Sequence, residues 1–313
     1  MEKKYELIVD KPGERLDLFI ALKVNALSRS GIKRAINKGD VCLNGYVEFR
    51  SHYKVKEGDA IVLRDTEGIS VESDIVQPTS MDIDIIYEDT DLLVLNKPAG
   101  IVTHPATGHE TDTLLNGVLF HYKQLSHVGD KKRSGLIHRL DKDTSGVILV
   151  GKTNLGLWQY SRLFAEKKVY KTYMVVACGD ITPRFRNQNT LIVKTSHGRN
   201  PSNRKKFTVL SNGEGKIAET HFELINVVHL KGHAYSLLYA HPFTGRTHQI
   251  RVHLASMGYP VLGDSIYGKN QYVRLMLHSW KLKLKLVGGT EKTFIAPIPK
   301  EFKEYITNAK YKV

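Results

Sequence analysis

Residues 138–146 read His-Arg-Leu-Asp-Lys-Asp-Thr-Ser-Gly and run directly into Val147-Ile148-Leu149-Val150. The apolar, β-branched run reads as a buried strand, so the charges and the Thr-Ser-Gly that follows them sit on a loop entering it. Such a loop can hold a side chain rigidly while leaving it open to a ligand. Asp141 is the residue placed to do chemistry there, as a nucleophile or as a base that takes up a proton. On local spacing alone, a solvated Asp-Lys-Asp turn with a structural Arg-Asp pair fits better. Paired with Asp143 it would suit a glycoside-cleaving enzyme, but residues two apart in a loop need not share a face, and no sugar-binding aromatic stripe accompanies them.

HRLDKDTSG resembles the catalytic motif of the RluA/RluD family of pseudouridine synthases, with Asp141 at the position of the essential carboxylate. Two further segments are similar to that family, in its order. Tyr170-Lys171-Thr172-Tyr173 resembles its Lys-x-Tyr motif, and HPFTGRTHQIRVH (241–253) its Gly-Arg-x-His-Gln-Ile-Arg motif, followed by VLGDSIYG (261–268). Weaker matches are NKPAGIVTHP (96–105), RLMLHSWKL (274–282) and FIAPIP (294–299).

The resemblance implies an enzyme that breaks the ribose bond to the uracil ring nitrogen, turns the base and rejoins it through a ring carbon. Nothing is oxidised or lost, so no cofactor is expected, and the chain has no dinucleotide fingerprint or phosphate loop. Asp141 would attack the sugar, attack the base, or remove a sugar proton. A carboxylate in a closed pocket needs a positive partner, which the resemblance makes Arg251. Tyr173 would stack on the target base. The uridine must leave the RNA stack to be reached, and Arg139 either fills the gap or makes a salt bridge. Arg246 suits a phosphate or a structural carboxylate. Arg199, Arg204, Lys205 and Lys206 match a family loop that grips RNA, with Lys206-Phe207 where the family commonly has Lys-Met.

The formal net charge of +14 and pI near 9.5 point to a polyanionic partner. No apolar stretch approaches the roughly 18–20 residues of a membrane-spanning helix, and the N-terminus Met-Glu-Lys-Lys-Tyr-Glu has no signal-peptide core. A cytoplasmic protein with two reduced thiols, Cys42 and Cys178, is expected. The 14 histidines include no His-Glu-x-x-His arrangement, so no metal site is expected.

Residues 14–64 read as a small α/β unit. Leu16, Leu18, Phe19 and Leu22 recur at helical spacing, Ile32 to Ile36 begins a second amphipathic segment, and Val41-Cys42-Leu43 ends in an Asn44-Gly45 hairpin turn. Val55 to Leu63 reads as another strand. LSRSGIKRAINKGDVCLNG followed by KVKEGD resembles the RNA-binding domain named after ribosomal small-subunit protein S-four, which implies that Arg29, Lys33, Arg34 and Lys38 meet phosphates. Residues 65–80 read as a linker, and 81–305 as the catalytic domain.

In that domain Leu114 to Leu125 and Leu155 to Phe164 are expected helices, and strands dominate the rest. Among these, Lys281 to Leu286 alternates cleanly, with its lysines outward. The patterns give α+β with much antiparallel sheet. The resemblance adds the pseudouridine synthase fold, a mixed sheet with a central cleft. The expected substrate is structured RNA, foremost large-subunit ribosomal RNA. A transfer RNA enzyme and a non-catalytic RNA- or ribosome-binding protein are the alternatives.

Overall fold

The computed structural model describes residues 3–24, 29–65, 76–106, 108–129, 133–203, 206–211, 213–269 and 272–307. The chain divides into two compact units, residues 1–77 with 129–134, and residues 78–128 with 135–313. The expected linker at 65–80 falls mostly on residues 66–75, which lie outside the described residues.

In the first unit, strands β1 (Lys3–Ile8), β2 (Val41–Leu43), β3 (Tyr46–Val47) and β4 (Ala60–Asp65) form an antiparallel sheet ordered β1-β4-β2-β3. Helices α1 (Leu16–Lys23) and α2 (Arg29–Lys38) bury Leu16, Phe19, Ile20, Ile32, Ala35 and Ile36 with Val41, Leu43, Ile61 and Leu63 of the sheet. Strand β1 precedes the sequence reading's boundary at residue 14. Val55 to Asp59 is not strand: the Asp59 carboxylate accepts from the Lys56 N–H at 2.8 Å, closing a turn before β4 begins. Cys42 is half-buried and free.

The second unit is built on ten strands. They are β5 (Ile85–Glu88), β6 (Leu92–Lys97), β7 (Ser145–Gly151), β8 (Tyr170–Cys178), β9 (Thr190–Arg199), β10 (Phe207–Val209), β11 (Lys216–Leu230), β12 (His233–Pro242), β13 (Leu277–Lys285) and β14 (Glu291–Ile295). Their order is β10-β9-β11-β12-β8-β13-β7-β6-β5, with β14 beside β13. All pairs are antiparallel except β7 with β13. This is the mixed, mostly antiparallel α+β sheet the sequence implies. Strand β7, Val147-Ile148-Leu149-Val150 at its centre, is buried throughout.

Helices α3 (Leu114–His121) and α4 (Asn154–Ala165) fall where apolar spacing places them, and a short α5 (Thr182–Phe185) follows β8. Thr113 caps α3 by accepting from the Asn116 N–H. Helix α6 (Gln249–Ser256) has no counterpart in the sequence reading. It buries Gln249, Arg251 and His253 as fully as Ile250, Val252 and Leu254, so it shows no apolar stripe. Among the described residues, no helix is long and apolar enough to cross a membrane.

Candidate active site

Asp141 lies on the loop that enters β7, and two neighbouring peptides of that loop are fastened. The Thr103 hydroxyl donates to the Leu140 carbonyl at 2.7 Å and accepts from the Leu140 N–H. The buried Lys97 ammonium donates to the carbonyls of Pro98, Ile101 and Lys142, and the Gly100 N–H donates to the same Lys142 carbonyl. Burial pushes Lys97 down to about 7, against the pull of the Asp143 and Asp141 carboxylates. Beyond Asp141, Gly146 has φ +112° where β7 meets Ser279, and a Cβ there would stand 2.2 Å from the Ser279 carbonyl oxygen. The glycine of the motif is thus a steric requirement of the parallel β7–β13 contact.

The Asp141 carboxylate opens onto a cavity of about 130 Å³ that is also lined by Arg139, Lys171, Tyr173, Arg246, His248 and Arg251. Arg251 Nη1 is 3.8 Å from Asp141 Oδ2, and Arg251 is only 3% exposed. Its firmest contact is with Asp264, where Nε and Nη2 each donate at 2.7 Å. Burial disfavours the guanidinium's charge, but the Asp264 carboxylate outweighs it and raises the Arg251 pKa. Asp264 also accepts from the N–H groups of Ile266 and Tyr267 at 2.9 and 3.0 Å. A bidentate ion pair of this kind fixes the plane of the guanidinium and leaves Nη1 pointing at Asp141. Asp264 stands in the VLGDSIYG segment, which was noted as a match but given no role. It is a member of the site that residue-by-residue reading did not name.

His248 is a second omission. It holds φ +56° at the start of α6, with its Nε2 3.9 Å from Asp141 Oδ2 and its Nδ1 2.9 Å from the Tyr267 hydroxyl. That hydroxyl accepts from the Phe207 N–H, leaving its own proton to donate to Nδ1. The tautomer then carries its proton on Nε2, toward Asp141. Burial lowers the His248 pKa, with Asp141 opposing, which favours the neutral ring.

Tyr173, half-buried on β8, has its phenol pushed up to about 12 by burial, aided by Asp141 and opposed by the Ser279 hydroxyl. It is therefore an O–H donor at neutral pH. Lys171, two residues before it on the same strand, lines the same cavity and is lowered to about 8 by burial.

Asp143 does not line the cavity, and its charge acts on Lys97 and Arg274. The paired-carboxylate arrangement of a glycosidase is therefore absent from this site. Arg139 is exposed and pairs with no carboxylate among the described residues, which leaves the salt-bridge alternative without a partner. Arg246 is exposed, donating to the Ile217 carbonyl at 3.2 Å. Arg199 lies over the Phe207 ring at 5.1 Å, and the Asn200 N–H donates to the Lys206 carbonyl, closing the β9–β10 end. Arg204 and Lys205 lie outside the described residues, as does the side chain of Arg29. Lys33, Arg34 and Lys38 are exposed on α2, away from its buried Ile32, Ala35 and Ile36. Among the described residues, no group of three or more His, Cys, Asp or Glu is placed to hold a metal ion.

Residues 91–256 match the family described as RNA pseudouridylate synthase, and residues 14–61 match the S4 domain. The chain is 36% identical over 312 residues to the Ribosomal large subunit pseudouridine synthase D of Borreliella burgdorferi, covering 97% of this chain and 92% of that protein. It is 37% identical over 306 residues to the protein of the same name from Neisseria meningitidis, covering 92% and 76%. Among solved structures it is similar to Human RNA Pseudouridylate Synthase Domain Containing 1, with a TM-score of 0.57 and 26% identity over 71% of this chain and 86% of that one. A binder that kept only the scaffold would have no use for Asp141, Tyr173 and Arg251 together. The chain belongs to the RNA pseudouridylate synthase family, and it is an RNA pseudouridine synthase, an isomerase, carrying an S4 domain toward its N-terminal end.

Proposed function

We propose that Asp141 is the carboxylate on which the isomerisation turns, and that the uridines it acts on lie in large-subunit ribosomal RNA. The observation that carries the catalytic part is the 3.8 Å approach of Arg251 Nη1 to Asp141 in a cavity walled by Tyr173. Each open role for Asp141, at the sugar, at the base or on a sugar proton, needs the ionised carboxylate. The guanidinium faces the carboxylate at that distance without taking up its lone pairs, because its two short bonds go to Asp264.

Tyr173 contributes a flat face for the extruded uracil and a protonated hydroxyl at the edge of the base. Arg139 enters the space the base leaves, and Arg246, Arg199, Lys206 and the α2 cations hold phosphates. Reading shape and backbone rather than base sequence is the mode expected for folded RNA. The ribosomal target is supported by near-full-length relatives named for the large subunit.

The test is to map pseudouridines in ribosomal and transfer RNA from a strain lacking this protein, then to repeat the map with Asp141→Ala restored. Loss confined to large-subunit ribosomal RNA, unrepaired by the variant, is the expected result. Loss confined to transfer RNA would overturn the target.

A further inference from the structure

A second, larger cavity of about 300 Å³ adjoins the one that holds Asp141, and the two share Lys171 and Pro242 as lining residues. Besides Phe164, which packs against the core, two exposed aromatic rings stand at it, Tyr170 (67% exposed) and Phe243 (47% exposed). Lys167 also lines it. His241 and Glu223 lie there as well: His241 Nδ1 is 3.3 Å from the Thr172 hydroxyl, and its buried Nε2 is 3.5 Å from Glu223 Oε1. Lys171 forms no hydrogen bond or ion pair within the protein among the described residues, although it is well withdrawn from water. An unpaired ammonium in such a place is costly unless an anion arrives to meet it.

We propose that this cavity is a subsite for the nucleotide next to the target uridine, with Lys171 holding the phosphate that joins the two. The inference rests on the reading that the first cavity receives the extruded uridine. A strand that places one base against Tyr173 must pass its neighbouring phosphate close by, and Lys171 lies two residues from Tyr173 on β8. The neighbouring base then has an exposed ring to stack on, Tyr170 or Phe243, and the half-exposed Glu223 carboxylate at its edge. Stacking tolerates any base, whereas a hydrogen bond to Glu223 would favour some over others. The subsite therefore gives the enzyme contact with local sequence that phosphate grip alone does not supply.

The test uses the full-length protein and a synthetic stem-loop around whichever uridine loses its modification in RNA from the deletion strain. A transfer RNA target would thus overturn the ribosomal reading and leave this test intact. The stem-loop is made intact, or with an abasic residue 5′ or 3′ of the target. The value of kcat/KM is measured for wild type, Phe243→Ala, Tyr170→Ala, the double variant of these two, Phe243→Tyr and Lys171→Gln. On intact RNA, Phe243→Ala with Tyr170→Ala should lose roughly tenfold or more in kcat/KM, the scale of one lost base stack. Removing the correct flanking base should cost wild type the same factor and cost the aromatic double variant little further, because the two changes delete one interaction. Phe243→Tyr should restore most of the loss. Lys171→Gln should lose activity on all three RNAs and flatten the dependence on salt by about one phosphate contact. Losses that multiply independently, or aromatic variants that equal wild type on intact RNA, overturn the proposal. The abasic side that erases the effect identifies the neighbour.

Discussion

The ammonium of Lys97 donates a hydrogen bond to the carbonyl of Lys142, the residue after Asp141, at 3.0 Å. With Thr103 holding Leu140 on the other side, the proposed nucleophile or base is clamped from both neighbours by one segment, residues 97–103. Neither Lys97 nor Thr103 lines the cavity; Thr103 acts on Asp141 through the backbone, and Lys97 does so both through the backbone and by the attraction between its ammonium and the carboxylate. Lys97→Met should leave the Pro98 and Ile101 carbonyls without this donor, while the Lys142 carbonyl keeps the Gly100 N–H, and cost about 1–3 kcal/mol of stability. Assayed well below its lowered Tm, it should still lose roughly tenfold or more in kcat, since small displacements of a reacting group are costly. Thr103→Val, a milder change, should show the same kcat loss with KM nearly unchanged. Equal kcat in Thr103→Val and wild type would remove the positioning role.

Asp141→Asn and Asp141→Ala should abolish pseudouridine formation while RNA affinity stays level or rises slightly, because a negative charge leaves a cationic cleft. Product mapping and filter binding on the same RNA check both halves. Turnover by Asp141→Ala at a tenth of the wild-type rate would exclude the residue from its role.

Asp264 makes a sharper test of the arginine than Arg251 itself. Asp264→Asn removes the bidentate acceptor and leaves the Arg251 guanidinium, 3% exposed, free to turn onto Asp141. Breaking one side of a buried pair typically costs about 3–5 kcal/mol. Arg251→Met strands two carboxylates and should be the less stable of the two variants. Arg251→Met with Asp264→Leu should recover stability toward wild type while remaining inactive. Activity in that double variant would dismiss the guanidinium from catalysis.

Much of this site can be read in the sequence because its parts are local. The Asp141 loop, the Lys-x-Tyr strand and the β7 apolar run each occupy one short segment whose pattern matches its structure. What could not be read is long-range or buried all round. Helix α6 escapes because Gln249, Arg251 and His253 are interior polar residues satisfied by Thr220, Asp264 and Thr195, so no polar face alternates with an apolar one. The Arg251–Asp264 pair is visible only once residues 13 apart meet. The turn at Glu57-Gly58-Asp59 reads as strand in the sequence because the Asp59 carboxylate that closes it leaves no trace in hydrophobic periodicity. Strand β1 was missed because it closes its sheet against β4, far along the chain.

Acid stability should be governed by buried histidines. His138 Nε2 accepts the Leu149 N–H at 3.0 Å, so protonation there would break a strand contact, and burial lowers its pKa to about 3. Burial likewise lowers His253 and His278 to about 4. A folded-state pKa below the unfolded value of about 6.5 means that the unfolded chain binds the proton first as pH falls. Stability is therefore full above pH about 6.5 and is lost on the way down toward 4, by about 3 kcal/mol for His278 alone. His278→Gln should flatten the fall of Tm between those pH values. Parallel wild-type and variant profiles would place the acid sensitivity elsewhere.

The α2 cations give the final prediction, on binding rather than chemistry. Lys33, Arg34 and Lys38 are exposed on a helix whose buried face is complete without them, so replacing all three with alanine should leave the first unit folded. Each phosphate contact contributes roughly 0.7–0.9 to the slope of log affinity against log salt, so three lost contacts should make it shallower by about 2–3. The loss should appear in KM, with kcat at saturating RNA little changed, since Asp141 and its partners lie in the other unit. A short stem-loop should suffer less than full-length RNA, because the small unit raises local concentration only on RNA long enough to reach both units. A triple variant with an unchanged salt slope would mean that this helix faces solvent in the complex. A triple variant that binds normally but no longer turns over would mean that the helix takes part in the reaction.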